Sequence, residues 1–139
     1  MATGVLVVDD EVDIRAVMRI VLQEAGYDVF EAPEGRSALL QLAYSPQGMV
    51  VLLDMKMPGM DGFAVLRALA NDEHLATRHA FIVATALDTR ALRQDEEQLL
   101  IQLGMSRLDK PFDIDELLEA VQAAEQRLTP LPHFRVLDA

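Results

Sequence analysis

The chain has 139 residues, half of them apolar and a quarter charged, which suits one domain with a packed core and is too short for two independent ones. Acidic side chains outnumber basic ones 23 to 12, a net charge of -11, so the overall field repels phosphate backbones and anionic membranes, and direct nucleic-acid binding is not expected. The absence of cysteine excludes disulfides, thiolate zinc sites and cysteine nucleophiles. With no signal-like N-terminus and no apolar run near the about 20 residues of a membrane span, a cytoplasmic protein is expected.

Gly4 to Val8 is apolar without alternation, the pattern of a strand buried on both faces of a parallel sheet, and it stops at Asp9-Asp10-Glu11. From Val12 the period changes: Ile14, Val17, Met18, Val21, Leu22 and Ala25 recur in helical steps, and Gly26 stands where a C-cap belongs. Asp28 to Glu31 reads as a short strand and Glu34 to Tyr44 as a helix turning Leu39, Leu42 and Ala43 inward. Met49 to Leu53 is again continuously apolar and again stops at an acid, Asp54, before the turn-rich stretch from Met57 to Gly62. A helix follows from about Asp61 to Ala70, with Asp61 as N-cap.

Ala80 to Thr85 reads as the fourth strand and Thr89 to Leu103 as a helix stopped by Gly104. Met105 to Asp109 is the fifth strand and the least apolar. Asp113 and Glu116 have capping-box spacing for a last helix, whose buried stripe is Ile114, Leu117, Leu118 and Val121. His74, His79 and His133 share no ligand spacing and read as surface residues. One domain is expected over residues 1–128, and Thr129 to Ala139 reads as a flexible tail or the start of a linker to an output domain.

Strands alternating with helices imply βαβ units with right-handed crossovers, hence an open α/β sandwich with a parallel sheet covered on both faces. Working residues of such sheets follow the strands' C-terminal ends. Here those residues are Asp9 and Asp10, Asp54, Thr85 and Lys110. Three close carboxylates repel one another unless a cation compensates. Magnesium, which takes oxygen ligands and keeps several waters, suits an Asp10 and Asp54 pair better than calcium, which wants more ligands.

With charge drawn off, an aspartate can act as a nucleophile toward phosphorus and form an acyl phosphate. Phosphoryl transfer needs its equatorial oxygens neutralised, which Lys110 and a metal would supply, and the Thr85 hydroxyl would donate to a phosphoryl oxygen once one is present. Singly, each residue has a plainer explanation: a strand-end acid is commonly an N-cap, a lysine is commonly solvated, and a strand threonine needs no partner. Their convergence on one sheet edge is the specific signal.

The sequence thereby resembles the response-regulator receiver family of two-component signalling, through Val7-Val8-Asp9-Asp10-Glu11, Leu53-Asp54 with Met55 to Gly62, Ala84-Thr85-Ala86 and Lys110-Pro111-Phe112, over about residues 4 to 126. The resemblance implies a flavodoxin-like (βα)5 three-layer sandwich with strand order 2-1-3-4-5. It implies Asp54 as phosphoacceptor, served by a sensor histidine kinase or a small phosphodonor, with Asp9 and Asp10 as the acidic Mg2+ pocket. Lys56 would lend its backbone carbonyl to the metal, Thr85 would be the switch hydroxyl, and Lys110 would pair with the acceptor and then the phosphoryl group. Pro111 would follow a cis peptide bond. An output domain or protein target and a phosphorylation-dependent homodimer are further possible partners.

One departure stands out. Three residues before Lys110, where the family usually has Tyr or Phe, the chain has Arg107, either a surface arginine or one that pairs with acids across a partner interface. Among other functions, a haloacid-dehalogenase-type phosphatase needs a second aspartate two residues after the nucleophile, where Lys56 stands. A flavin binder would need a phosphate-cradling loop where Asp9-Asp10-Glu11 repels phosphate, and no nucleotide-binding glycine motif follows any strand. A non-phosphorylated pseudo-receiver, acting as a protein-binding module, is the alternative that remains.

Overall fold

The computed structural model describes residues 2–55, 61–85 and 94–128. Its strands are β1 (Gly4–Val8), β2 (Asp28–Ala32), β3 (Met49–Asp54), β4 (Ala80–Thr85) and β5 (Ser106–Asp109). Its helices are α1 (Val12–Glu24), α2 (Gly35–Tyr44), α3 (Gly62–Ala70), α4 (Glu73–Arg78), α5 (Gln94–Gln102) and α6 (Ile114–Glu125). The strands pair in parallel in the order β2-β1-β3-β4-β5, the flavodoxin-like order that the family resemblance implies.

The continuously apolar strands are continuous because each face meets its own helical layer. Val5, Val7, Val50, Leu52 and Ile82 pack with Met18 and Leu22 of α1 and Leu117 and Val121 of α6. Leu6, Val8, Val51, Leu53 and Val83 pack on the other face with Leu42 of α2, Leu66 and Leu69 of α3 and Leu99 of α5. At about 1.5–3 kcal/mol for each fully buried aliphatic side chain, these two layers hold the fold.

The helix punctuation follows the sequence. Gly26 and Gly104 adopt φ of 97° and 63°, the left-handed region in which glycine alone avoids a Cβ clash. Asp61 caps α3 by accepting the Ala64 N–H at 2.8 Å, and Asp113 and Glu116 form the reciprocal capping box on α6.

Several expectations need correction. The helix α4 was not foreseen: it is capped by Asp72, which accepts the Leu75 N–H, but it buries no residue, so apolar periodicity carries no trace of it. Strand β2 runs on to Ala32, β3 to Asp54, and β5 begins at Ser106. Ile114, expected in the buried stripe of α6, is 57% exposed, and Val17 of the α1 apolar repeat is 60% exposed, because both line a groove between α1 and α6. Ala25 and Ala43 are exposed too, and Ala38 takes the buried position on α2.

His79, read as a surface residue, is buried where the α4–β4 turn packs under α2 and β3. His74 is exposed, while His133, Lys56, the start of the helix expected from Thr89 and the whole segment 129–139 lie outside the described residues. No helix among the described residues is long and apolar enough to cross a membrane.

Candidate functional site

Strand β1 pairs with β2 on one side and β3 on the other, so the chain leaves β1 in one direction across the sheet and β3 in the other. A crevice opens beyond the strand ends at such a switch point. Asp9 follows β1, Asp54 ends β3, Thr85 ends β4 and Lys110 follows β5. The register sets Val8 beside Leu53, Asp54 beside Ala84 and Thr85 beside Asp109, which carries the four residues along one edge.

Carboxylate oxygens of Asp9, Asp10 and Asp54 lie within 4.8 Å of one another. Asp9 and Asp54 are buried, whereas Asp10 is exposed and leaves the cluster open on its solvent side. Lys110 extends over the cluster with its Nζ 3.3 Å from Asp54 Oδ1 and 4.0 Å from Asp9 Oδ2. The lysine backbone is tied to the sheet by its N–H, which donates to the Thr85 carbonyl at 3.0 Å, and the peptide bond to Pro111 is cis.

Asp9 is the most constrained of the three acids. Its N–H donates to the Ala32 carbonyl at 3.1 Å, continuing the β1–β2 ladder, and its Oδ1 accepts the Glu11 N–H at 2.9 Å. Burial pushes its carboxyl above the usual carboxylate range. The Glu11 N–H opposes that rise, the charge of Asp54 adds to it, Lys110 opposes it and Asp10 adds a little more.

Among the described residues, the cluster gathers three acids around one ammonium, an excess of negative charge. A hard, anionic oxygen set with one solvent-facing member is what a hard divalent cation takes while keeping waters or a phosphate oxygen in its other positions. The cluster therefore fits a divalent metal ion. Thr85 is buried at the end of β4, one strand over from Asp54. Arg107 pairs within its own strand with Asp109, Nε to Oδ1 at 2.6 Å, and helps line a narrow cavity of about 30 Å³ with Met55, Phe63, Val83 and Thr85. That is room for about one water molecule.

Two local features escaped the sequence reading. Gly62 opens α3 so close to the end of β3 that a Cβ there would stand 2.5 Å from Met55 Sδ, 2.6 Å from Met55 Cα and 2.9 Å from the Asp54 carbonyl. The Asp61-Gly62 pair signals a turn but not this approach. Arg15 on α1 donates from Nη1 to the Asp9 carbonyl at 2.6 Å, although a polar residue in an amphipathic helix ordinarily reads as part of its solvated face.

Comparison with known proteins agrees with this geometry. The family model described as "Response regulator receiver domain" matches residues 5–122. Sporulation initiation phosphotransferase F of Bacillus subtilis is 35% identical over 123 residues, covering 88% of this chain and 93% of that protein. The DNA-binding dual master transcriptional regulator RpaA of Synechocystis is 34% identical across 92% of this chain, which spans only 51% of that longer protein. Among solved structures, chemotaxis protein CheY4 of Vibrio cholerae superposes with a TM-score of 0.74 at 29% identity, covering 89% of this chain and 99% of that one. A CheY-like receiver domain from Methanospirillum hungatei gives a TM-score of 0.74 at 30% identity, covering 89% and 98%. With acids, lysine and hydroxyl-bearing strand end in the family's order and the family model matched over most of its length, this chain belongs to the response regulator receiver family of two-component systems.

Proposed function

We propose that this receiver domain accepts a phosphoryl group on Asp54, with Mg2+ held by Asp9, Asp10, Asp54 and the backbone carbonyl of Lys56. The observation that carries the reading is the cluster of the Asp9, Asp10 and Asp54 carboxylates with the Lys110 ammonium 3.3 Å from Asp54 Oδ1. When bound, the metal supplies charge neutralisation for the acids and the incoming phosphate.

An Asp54 carboxylate oxygen attacks phosphorus. The new O–P bond forms as the P–N bond to a donor histidine breaks, and the bonding pair leaves with the imidazole. For acetyl phosphate the P–O bond breaks and acetate departs. Lys110 lies on Asp54 beforehand and neutralises phosphoryl oxygens as charge shifts onto them. The Thr85 hydroxyl then donates to a phosphoryl oxygen, a contact that exists only in the modified state and so biases the conformational equilibrium. Taking such an equilibrium from about 1:99 to 99:1 needs about 5.5 kcal/mol of differential contacts.

The chain in this reading is a cytoplasmic signalling domain that promotes its own phosphorylation and dephosphorylation, with no external substrate to turn over. Residues 1–128 form the switch, and 129–139 are a tail or lead toward an output domain. A sensor histidine kinase is the donor, and a protein target or a second phosphorylated copy receives the signal. The net charge of -11 disfavours direct binding to nucleic acid or membrane.

Intact-mass measurement after incubation with acetyl phosphate and Mg2+ tests the proposal. Wild type gains one phosphoryl group and Asp54→Asn gains none, and EDTA abolishes the gain. Equal labelling of Asp54→Asn would overturn the acceptor assignment. A wild type that is never labelled would return the chain to the pseudo-receiver reading. Size measurement with and without a beryllofluoride mimic shows whether the output is a homodimer.

A further inference from the structure

We infer that Arg15, oriented by Glu31, is a positioning residue for the acidic pocket: it clamps the peptide unit joining Asp9 to Asp10 and so sets where their carboxylates meet a divalent cation. The inference rests on the metal-dependent reading above and concerns residues that lie outside the acidic cluster itself.

The clamp is visible from both ends of Asp9. Its N–H is held by the Ala32 carbonyl of β2, and its carbonyl accepts from Arg15 Nη1 at 2.6 Å. The carbonyl of Asp9 and the N–H of Asp10 belong to one planar peptide, so fixing the first fixes the plane from which the Asp10 chain departs. Asp10 is exposed, and with no burial to hold it, its placement against Asp9 depends on that plane.

Arg15 is itself held. Its side chain is 13% exposed, its Nε lies 3.3 Å from Glu31 Oε1, and the other oxygen of Glu31 takes Arg19 Nη1 at 2.7 Å. Glu31 immediately precedes Ala32, so one short piece of β2 anchors the Asp9 N–H through its backbone and the Asp9 carbonyl through Arg15.

Glu31 has an electrostatic task as well. An unpaired guanidinium beside the acids would compete with a dication for their field, whereas one neutralised by Glu31 can orient the peptide with little repulsion toward the metal. The planar guanidinium donates to the carbonyl and to the carboxylate in two fixed directions, which a lysine ammonium on a flexible stem does not reproduce.

The experiment is calorimetric titration of the full chain with Mg2+ alone, without phosphodonor, paired with thermal melts in EDTA. Arg15→Lys and Arg15→Gln are expected to bind Mg2+ roughly 10-fold more weakly than wild type, the scale typical of lost outer-shell support. Glu31→Gln shifts affinity in the same direction by a smaller factor. Arg19→Ala, which touches Glu31 but not the Asp9 carbonyl, stays within about 2-fold of wild type.

Should the Arg15 variants fail to fold, Glu31→Gln carries the test. Lower melting temperatures with unchanged Mg2+ affinity in the Arg15 and Glu31 variants would make the contacts purely structural and overturn the clamp. Where wild type binds Mg2+ and Asp10→Asn loses it, the metal reading stands, and unchanged affinity in the Arg15 and Glu31 variants then overturns the clamp alone. A wild type that takes up no Mg2+ would overturn the metal reading and the clamp with it.

Discussion

The two edges of the sheet treat buried polarity in opposite ways. At the N-terminal edge, His79 Nδ1 accepts the Met49 N–H at 2.9 Å while its Nε2 lies 3.3 Å from the Leu42 carbonyl, tying β3, β4 and α2 together with a neutral ring. Nearby, Arg127 donates to the carbonyls of Gly104 and Phe81, and the Glu125 carboxylate accepts from the Thr3 and Tyr27 hydroxyls. At the C-terminal edge, three carboxylates cluster, two of them, Asp9 and Asp54, paired with Lys110. Polar groups at the first edge are satisfied by the protein itself, and those at the second form an acidic cluster that suits a divalent cation. Polar groups serve stability at the first edge and form the proposed site at the second, and each can be perturbed with opposite consequences.

The largest effect is expected at the His79 edge. Burial is the main cause that lowers the His79 pKa from 6.5 to about 4, and a proton on Nδ1 would face the Met49 N–H donor to donor. Because folding favours the neutral ring, the unfolded chain binds the extra proton between these values. Stability is fully present above about pH 6.5 and is lost as pH falls toward 4, by about 3 kcal/mol in total. Urea unfolding of wild type and His79→Gln at pH 7, 5 and 4 measures it: the difference between the two curves should shrink as the pH falls. A constant difference would mean that His79 does not titrate on unfolding.

That histidine also shows where sequence reading stops. Continuous apolar runs announced β1, β3 and β4, and the residues at or just after their ends announced Asp9, Asp54 and Thr85, because a parallel sheet brings strand ends together whatever the loops do. Gly26, Gly104, Asp61 and Asp113 marked helix ends through purely local chemistry. His79 instead depends on partners 30 and 37 residues away, and Arg15 on a backbone carbonyl and a residue of β2. No periodicity encodes such contacts, and for the same reason Ile114 reads as part of a buried stripe although α1 and α6 leave a groove between them.

A second, smaller effect separates glycines of the two edges. Gly62→Ala places a methyl group against the backbone that carries Asp54, so α3 must withdraw or Met55 must move. The expected destabilisation is about 1–3 kcal/mol, and phosphorylation by acetyl phosphate should slow with it. Gly26→Ala meets nothing within 4 Å but must adopt φ of 97°, which costs about 1 kcal/mol and should leave the labelling rate unchanged. Stopped-assay intact mass, alongside urea unfolding, compares the two, and equal slowing in both variants would dissolve the distinction between the edges.

The smallest effect has the opposite sign. Burial and like charge raise the Asp9 carboxyl pKa, so its ionised form is disfavoured by folding, and the penalty is fully relieved below the unfolded value and fully felt above the folded one. Asp9→Asn keeps an oxygen for the Glu11 N–H and removes a charge from the cluster. In EDTA at pH 7 it should therefore melt roughly 2–6 °C above wild type, and the gain should narrow as the pH falls and Asp9 takes up its proton. Saturating Mg2+ should narrow it as well, because the cation stabilises the wild-type acids and finds less to hold in the variant. A variant that melts lower than wild type without metal would show that the acids are balanced by the protein alone, which would erase the contrast between this edge and the one built around His79.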